Sequence, residues 1–152
     1  MNPVSIAIPA YNSEKYIEKT IDSILQQTYS DFILTIIDDQ STDCTEEVVL
    51  QYKDPRIRFV KNSVNLGLNG NFSRCLEYMQ ESLYGLLICN DDIIENDYLE
   101  KKIAVFQTDP DIVLICNSTK IINQDGRLLF IRKTRSADVL PGKQAIYLSY
   151  FY

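Results

Sequence analysis

Short apolar runs alternate with amphipathic stretches along this chain, and that alternation restricts its fold more than any other feature. Val4–Ile8 is a β-branched run stopped by Pro9. Residues 14–27 set Ile17, Ile21, Ile24 and Leu25 on one face of a helix that Asn12 or Ser13 caps. Phe32–Ile37 is nearly continuous in apolar residues, the mark of a strand covered on both faces. A second helix follows over 42–52 with Thr42 or Asp43 as cap, then a strand at Arg56–Val60 and an Asn/Gly-rich loop from Asn62 to Gly70. A third helix carries Phe72, Cys75, Leu76, Met79 and Leu83 on one side. Gly85–Cys89 reads as the fourth strand, Asp97–Gln107 as the fourth helix with Leu99, Ile103 and Phe106 inward, and Ile112–Cys116 as a fifth strand. Asp125-Gly126, between Lys120–Ile122 and Leu128–Ile131, signals a two-residue hairpin.

Such alternation predicts right-handed βαβ units: an α/β, Rossmann-like, doubly wound and mostly parallel sheet with helices on both faces. Ligands of such sheets bind at the carboxyl ends of the strands, near the reversal of strand order. The loops after strands one, two and four read PAYN, DDQSTD and NDD, and two of the three are strongly acidic.

Composition removes several chemistries. The 152 residues carry 15 Lys+Arg against 21 Asp+Glu and no histidine, a net charge of −6. Phosphate neutralisation of a nucleic acid needs a basic excess that is absent, so no nucleic-acid partner is expected. Without histidine, Ser-His-Asp and Cys-His catalysis and imidazole-bound zinc are excluded within this chain. A metal site would be oxygen-rich, suited to Mg²⁺, Mn²⁺ or Ca²⁺. Cys44, Cys75, Cys89 and Cys116 form no CxxC pair and read as reduced, packed thiols. The five glycines make neither GxGxxG nor a P-loop, so phosphates would need a cation held by carboxylates. Two N-x-S/T matches, at Asn71 and Asn117, matter only in a secreted chain. The start of the chain has no signal-peptide pattern and no run is long enough to span a membrane, so the expected location is cytoplasmic.

Asp91 and Asp92 directly follow the fourth strand. Two unit charges 4 Å apart interact by roughly 4 kcal/mol at an effective dielectric of 20, a cost that a cation would relieve. The pair reads equally as a helix cap. Asp38 and Asp39 end the second strand, where a carboxylate can accept hydrogen bonds from a base edge or ribose hydroxyls; capping by Asp43 or Thr42 leaves this pair unexplained. Tyr11 offers a flat ring to a base, or simply packs in its turn.

Together, VSIAIPAYNSEKYIEKTIDSILQQTYSDFILTIIDDQSTDCT, NLGLNGNFSRCLEY (Asn65–Tyr78) and LLICNDDIIENDYLEKKIAVF (Leu86–Phe106) resemble the family 2 glycosyltransferases, an inverting group with the GT-A fold. The likeness covers nearly all of residues 3–125. It implies a nucleotide-diphospho-sugar site, with a UDP-sugar as the expected donor. Pro9, Ala10 and Tyr11 would line the base and ribose pocket, Asp39 would hydrogen-bond the base with Asp38 beside it, and Asp91 would also face the nucleotide. Asp91 and Asp92 would end a DxD-type motif holding Mn²⁺ or Mg²⁺ against the diphosphate. The first Asp of the fuller motif is Cys89 here. The family's catalytic base lies in a later segment that nothing past Asp125 matches, so no catalytic base is expected within the chain.

Residues 146–152, IYLSYFY, read as a docking face or as a core element cut in the middle. We therefore expect residues 1–152 to be one donor-binding domain of a longer protein, weak or inactive alone. Its partners would be the donor and a saccharide or lipid-linked acceptor, with a membrane surface reached only through a later part. The competing reading is a non-catalytic binding module that keeps the fold. A phosphoacceptor receiver domain fits poorly, because its acidic pair would have to replace PAYN and its phosphoacceptor Asp would have to stand at Lys61-Asn62.

Overall fold

The computed structural model describes residues 4–123 and 125–133. Their order is β1 (Val4–Ala10), α1 (Ile17–Leu25), β2 (Phe32–Asp38), α2 (Thr45–Leu50), β3 (Ile57–Lys61), α3 (Gly67–Met79), β4 (Tyr84–Leu87), α4 (Tyr98–Phe106), β5 (Thr119–Ile122) and β6 (Leu128–Arg132). The chain divides into two compact units, Met1–Glu100 and Lys101–Tyr152. The aromatic segment 146–152 lies outside the described residues.

The first unit holds a four-stranded sheet of order β3-β2-β1-β4 in which every neighbouring pair is parallel. From β1 the chain steps outward to β2 and β3, then returns past β1 to β4. Right-handed crossovers in opposite directions put α1 and α2 on one face of the sheet and α3 on the other. On the α3 face, buried Ala7, Ile37 and Cys75 pack with Tyr78, Met79 and Leu87. Strand alternation sends Ile6, Ile8, Leu34 and Ile36 to the opposite face, where each is at most 1% exposed. Full burial of each such side chain stabilises the fold by roughly 1.5–3 kcal/mol. Ile17, Ile21 and Ile24 of α1 are likewise fully buried. At Gly85 the sheet and α3 approach closely: a Cβ there would sit 2.8 Å from Met79 Cε and 3.1 Å from Met79 Cβ, so Met79 would have to shift to admit one.

Several local expectations are corrected. Pro9 does not stop β1, which continues through it to Ala10. Neither Asn12 nor Ser13 caps α1, because both side chains bond to other loops; the helix starts at Ile17 with Tyr16 before it and no side-chain cap. Helix α2 is shorter than 42–52, and Cys44 takes its cap position. Asp43 still accepts the Thr45 N–H at 3.0 Å. Helix α3 starts at Gly67 and consumes the second half of the Asn/Gly loop. Its buried residues are Asn71 and Cys75, while Leu76 and Leu83 are exposed. The inward stripe is rotated because Asn71 takes a core position that pattern reading gives to an apolar residue. Burial at 3% also removes Asn71 as a glycan acceptor.

In the second unit, Ile112–Cys116 forms no strand: Val113 and Leu114 are exposed, and the run has no ladder partner among the described residues. Apolar composition supplies the core face of a strand but not its neighbour. The β5–β6 hairpin is antiparallel, as expected. Its connection is longer than two residues: Asn123 Oδ1 accepts the N–H groups of Asp125 and Arg127, and Gly126 takes φ 79°. Of the four thiols only Cys75 is fully packed; Cys44 and Cys116 are exposed and Cys89 is half-buried. No helix among the described residues is long and apolar enough to cross a membrane.

Candidate active site: a cleft at the β1–β4 switch point

The site begins where β4 leaves the sheet. In a parallel ladder, successive residues face alternate neighbours. Ala7 accepts the Ile88 N–H on the β4 side at 3.1 Å, and Ala10 accepts the Asp39 N–H on the β2 side at 2.8 Å. Pro9 therefore faces the β4 side, beyond the last ladder bond to β4, and its missing N–H costs nothing. Beyond Ala7 the two strands part, and the gap between them is the switch point of a doubly wound sheet.

A cleft of about 390 Å³ fills this gap. Pro9, Ala10 and Tyr11 line it, together with Asp39, and Tyr11 is half exposed. Residues that the sequence reading left without a role complete it: Asn65, Gly67 and Leu68 at the start of α3, Asn71 one turn on, and Asn90 after β4. Gly67 has φ 69° with open space around its Cβ position, so backbone conformation rather than crowding demands glycine. No cationic side chain is among the described residues lining the cleft.

Asp38 and Asp39 have different surroundings. Asp38 is fully buried; it accepts the Ser41 N–H at 3.1 Å and the Ser41 hydroxyl, and Lys61 Nζ stands 3.8 Å away. Its carboxylate ties down the loop after β2 and does not line the cleft. Asp39 does line it. There Oδ1 accepts the Asn62 amide at 2.7 Å and the Leu66 N–H at 2.8 Å. No described residue donates to Oδ2.

Ser13 joins the loops. Its hydroxyl accepts the Tyr11 N–H at 3.2 Å and the Asn90 side-chain amide, and its own N–H goes to Thr45 Oγ1 at 2.7 Å. Asn12, at φ 50°, accepts the Thr42 N–H at 2.8 Å. The acidic loop after β4 is held by buried polar residues of α1 and by Gln27 just past its end. Thr20 donates to Asn90 O at 3.0 Å, Ser23 Oγ accepts the Ile94 N–H at 3.3 Å, and Gln27 donates to Glu95 O at 2.8 Å while accepting the Leu99 N–H at 3.0 Å. Polar residues at 20, 23 and 27 recur at helical spacing; this is the signal a periodicity search for apolar residues passes over.

Asp91 and Asp92 project from this loop just past Asn90. Cys89 Sγ and a carboxylate oxygen from each aspartate lie within 4.8 Å of one another. Asp92 is exposed at the surface, yet desolvation by the protein packed around the loop, and then the charge of Asp91, raise its carboxyl above the ordinary range. Burial, followed by Asp92 and Asp91, likewise raises the Cys89 thiol. Two hard oxygens and one softer sulfur at this separation fit a divalent cation, which would offset the charge crowding.

The Glycosyl transferase family 2 model matches residues 5–143. Chondroitin synthase of Escherichia coli is 33% identical over 128 residues, 83% of this chain and 18% of that protein. The Escherichia coli UDP-Glc:alpha-D-GlcNAc-diphosphoundecaprenol beta-1,3-glucosyltransferase WfgD is 34% identical over 122 residues, 80% of this chain and 47% of that protein. The crystal structure of S. aureus TarS 1–349 in complex with UDP-GlcNAc superposes with a TM-score of 0.61 at 25% identity, over 70% of this chain and 31% of that one. The chain thus spans less than half the length of each of these three proteins. With a parallel sheet of order β3-β2-β1-β4, a cleft at its switch point and a match over nearly its whole length, this chain belongs to glycosyl transferase family 2, on the GT-A fold.

Proposed function

We propose that the chain is the donor-binding part of an inverting glycosyltransferase that moves a sugar from a nucleoside diphosphate, UDP in the first instance, to an acceptor hydroxyl. The observation that carries the reading is the cleft itself, lined by Tyr11, Asp39 and Asn90, with the Asp91–Asp92 pair outside the lining but directly following Asn90 in the chain. In this reading Tyr11 stacks on the base, Pro9 and Ala10 shape the wall behind it, and Asp39 Oδ2 accepts an N–H of the base edge. Asp38 supports the loop that presents Asp39. Asp91 and Asp92 hold Mn²⁺ or Mg²⁺, which when bound offsets charge on the leaving diphosphate. No cationic side chain is among the described residues lining the cleft, and in this reading the metal is what offsets the charge of the two phosphates. The base that deprotonates the acceptor belongs, in this reading, to a later segment of a longer protein. WfgD's name gives a lipid-diphosphate-linked acceptor for that enzyme; a saccharide or lipid-linked acceptor is the corresponding proposal here.

Thermal unfolding of the full chain with UDP, with Mn²⁺, with both, and of the Asp91→Ala/Asp92→Ala variant tests the site. A ligand at 100 times its Kd stabilises by about 2.7 kcal/mol, a rise in Tm of roughly 5–10 °C at this size. The expected rise needs UDP and metal together and vanishes in the variant. No rise with any nucleoside diphosphate would overturn the proposal.

A further inference from the structure

Behind Asp39 runs a directed chain of buried amides. Asn71, 3% exposed, donates its amide to Ile37 O at 3.0 Å and to Ala10 O at 3.5 Å, bridging the ends of β2 and β1. Its Oδ1 accepts from Asn62 Nδ2 at 3.1 Å, and the same Nδ2 donates to Asp39 Oδ1 at 2.7 Å. The amide orientations are forced: turning Asn62 over would set its carbonyl oxygen against the Asp39 carboxylate and the Asn71 oxygen. As it stands, Asn62 Oδ1 is a buried oxygen without a partner, the one such side-chain atom among the described residues. A buried polar atom left unpaired carries a desolvation cost that an apolar side chain would avoid. Fold stability alone does not account for asparagine at this place; both of the acceptors its Nδ2 serves do.

We propose that Asn62 is a positioning residue for the donor base. With the Leu66 N–H, it saturates Oδ1 of Asp39 and fixes the carboxylate so that Oδ2 is the oxygen presented to the cleft. A carboxylate oxygen held this way favours a base with an imino N–H, as in uracil or guanine, over cytosine or adenine, whose corresponding ring nitrogens are acceptors. The inference rests on the donor-site reading above, in which Asp39 meets the base.

The test compares UDP with CDP, both with Mn²⁺, by calorimetric titration of the full chain, its Asn62→Ala and Asn62→Ser variants, and Asp39→Asn. The unsubstituted chain prefers UDP. Asn62→Ala lowers UDP affinity about tenfold, the scale of a lost hydrogen bond to a charged group, and leaves CDP affinity nearly unchanged. Asn62→Ser, which keeps a shorter donor, falls between. Asp39→Asn reverses the preference, because its amide can donate to the cytosine ring nitrogen. Equal losses for UDP and CDP in the Asn62 variants would make Asn62 a structural residue and overturn the inference while the donor site stands. An unchanged UDP:CDP ratio in Asp39→Asn would overturn both. If circular dichroism showed that neither Asn62 variant folds, the asparagine would be a stability residue and the inference would fall.

Discussion

Cys89 stands where the fuller motif of the resembling family has its first aspartate, and this one substitution gives the loop a sulfur among oxygens. Hard ions such as Mg²⁺ and Mn²⁺ prefer carboxylate to thiol, and softer ions the reverse. Cys89→Asp is therefore expected to strengthen Mn²⁺ binding several-fold and to weaken Cd²⁺ binding, read by titration of each ion against the full chain. Equal affinities before and after the change would remove Cys89 from the donor set. At this scale the sequence was informative where a residue's place on a strand end already implied its task. Tyr11 and Asp39 could be singled out because they follow apolar runs, and both line the cleft. Asn62 and Asn71 could not. Asparagine near glycine reads as turn chemistry, and nothing in a single polar letter announces that it will be buried against a carboxylate. Asp38 shows the converse: two adjacent acids look equivalent in sequence, yet strand alternation turns one into the loop and the other into the cleft.

Helix α1 and the residue just past its C-cap do two jobs with two stripes. Ile17, Ile21 and Ile24 are buried in the core, and Thr20, Ser23 and Gln27 hold the loop that carries Asp91 and Asp92. Gln27→Ala removes partners from Ser23 O and the Leu99 N–H at once, while Glu95 O keeps the Tyr98 N–H at 2.9 Å. Unpaired buried groups of this kind cost about 1–3 kcal/mol. The expected outcome is a fall in Tm of roughly 3–10 °C, with Mn²⁺-dependent UDP binding weakened and uridine binding retained. If uridine binding fell as far as UDP binding, the loop would not be a separate support for the metal side of the cleft. Among elements, the four parallel strands were legible because each is a short apolar run bounded by polar loops. The caps were not, because Asn12 and Ser13 bond across loops rather than to their own helix. Ile112–Cys116 failed for a different reason: a strand needs a neighbour, and a local pattern carries no information about one.

For the molecule as a whole, charge decides how the ligand is held. The chain carries a net −6, its switch-point cleft has no cationic lining among the described residues, and the donor expected there is itself an anion. Base recognition and phosphate recognition should then separate cleanly. Uridine carries no phosphate, so on the proposed reading, in which Tyr11 and Asp39 meet the base, its binding should be indifferent to Mn²⁺. UDP without metal should bind no better than uridine, and at low ionic strength somewhat worse, because long-range repulsion acts over a Debye length of about 10 Å at 0.1 M salt. Adding salt should relieve that repulsion and bring metal-free UDP toward uridine. With Mn²⁺ present the order reverses: UDP should bind well above uridine, and salt should now weaken it. Titrations of uridine and UDP at two salt concentrations, each with and without Mn²⁺, read all four cases. Tight metal-free UDP binding that weakens with salt would mean that a cation outside the described lining holds the diphosphate, and the role proposed for Asp91 and Asp92 would fail.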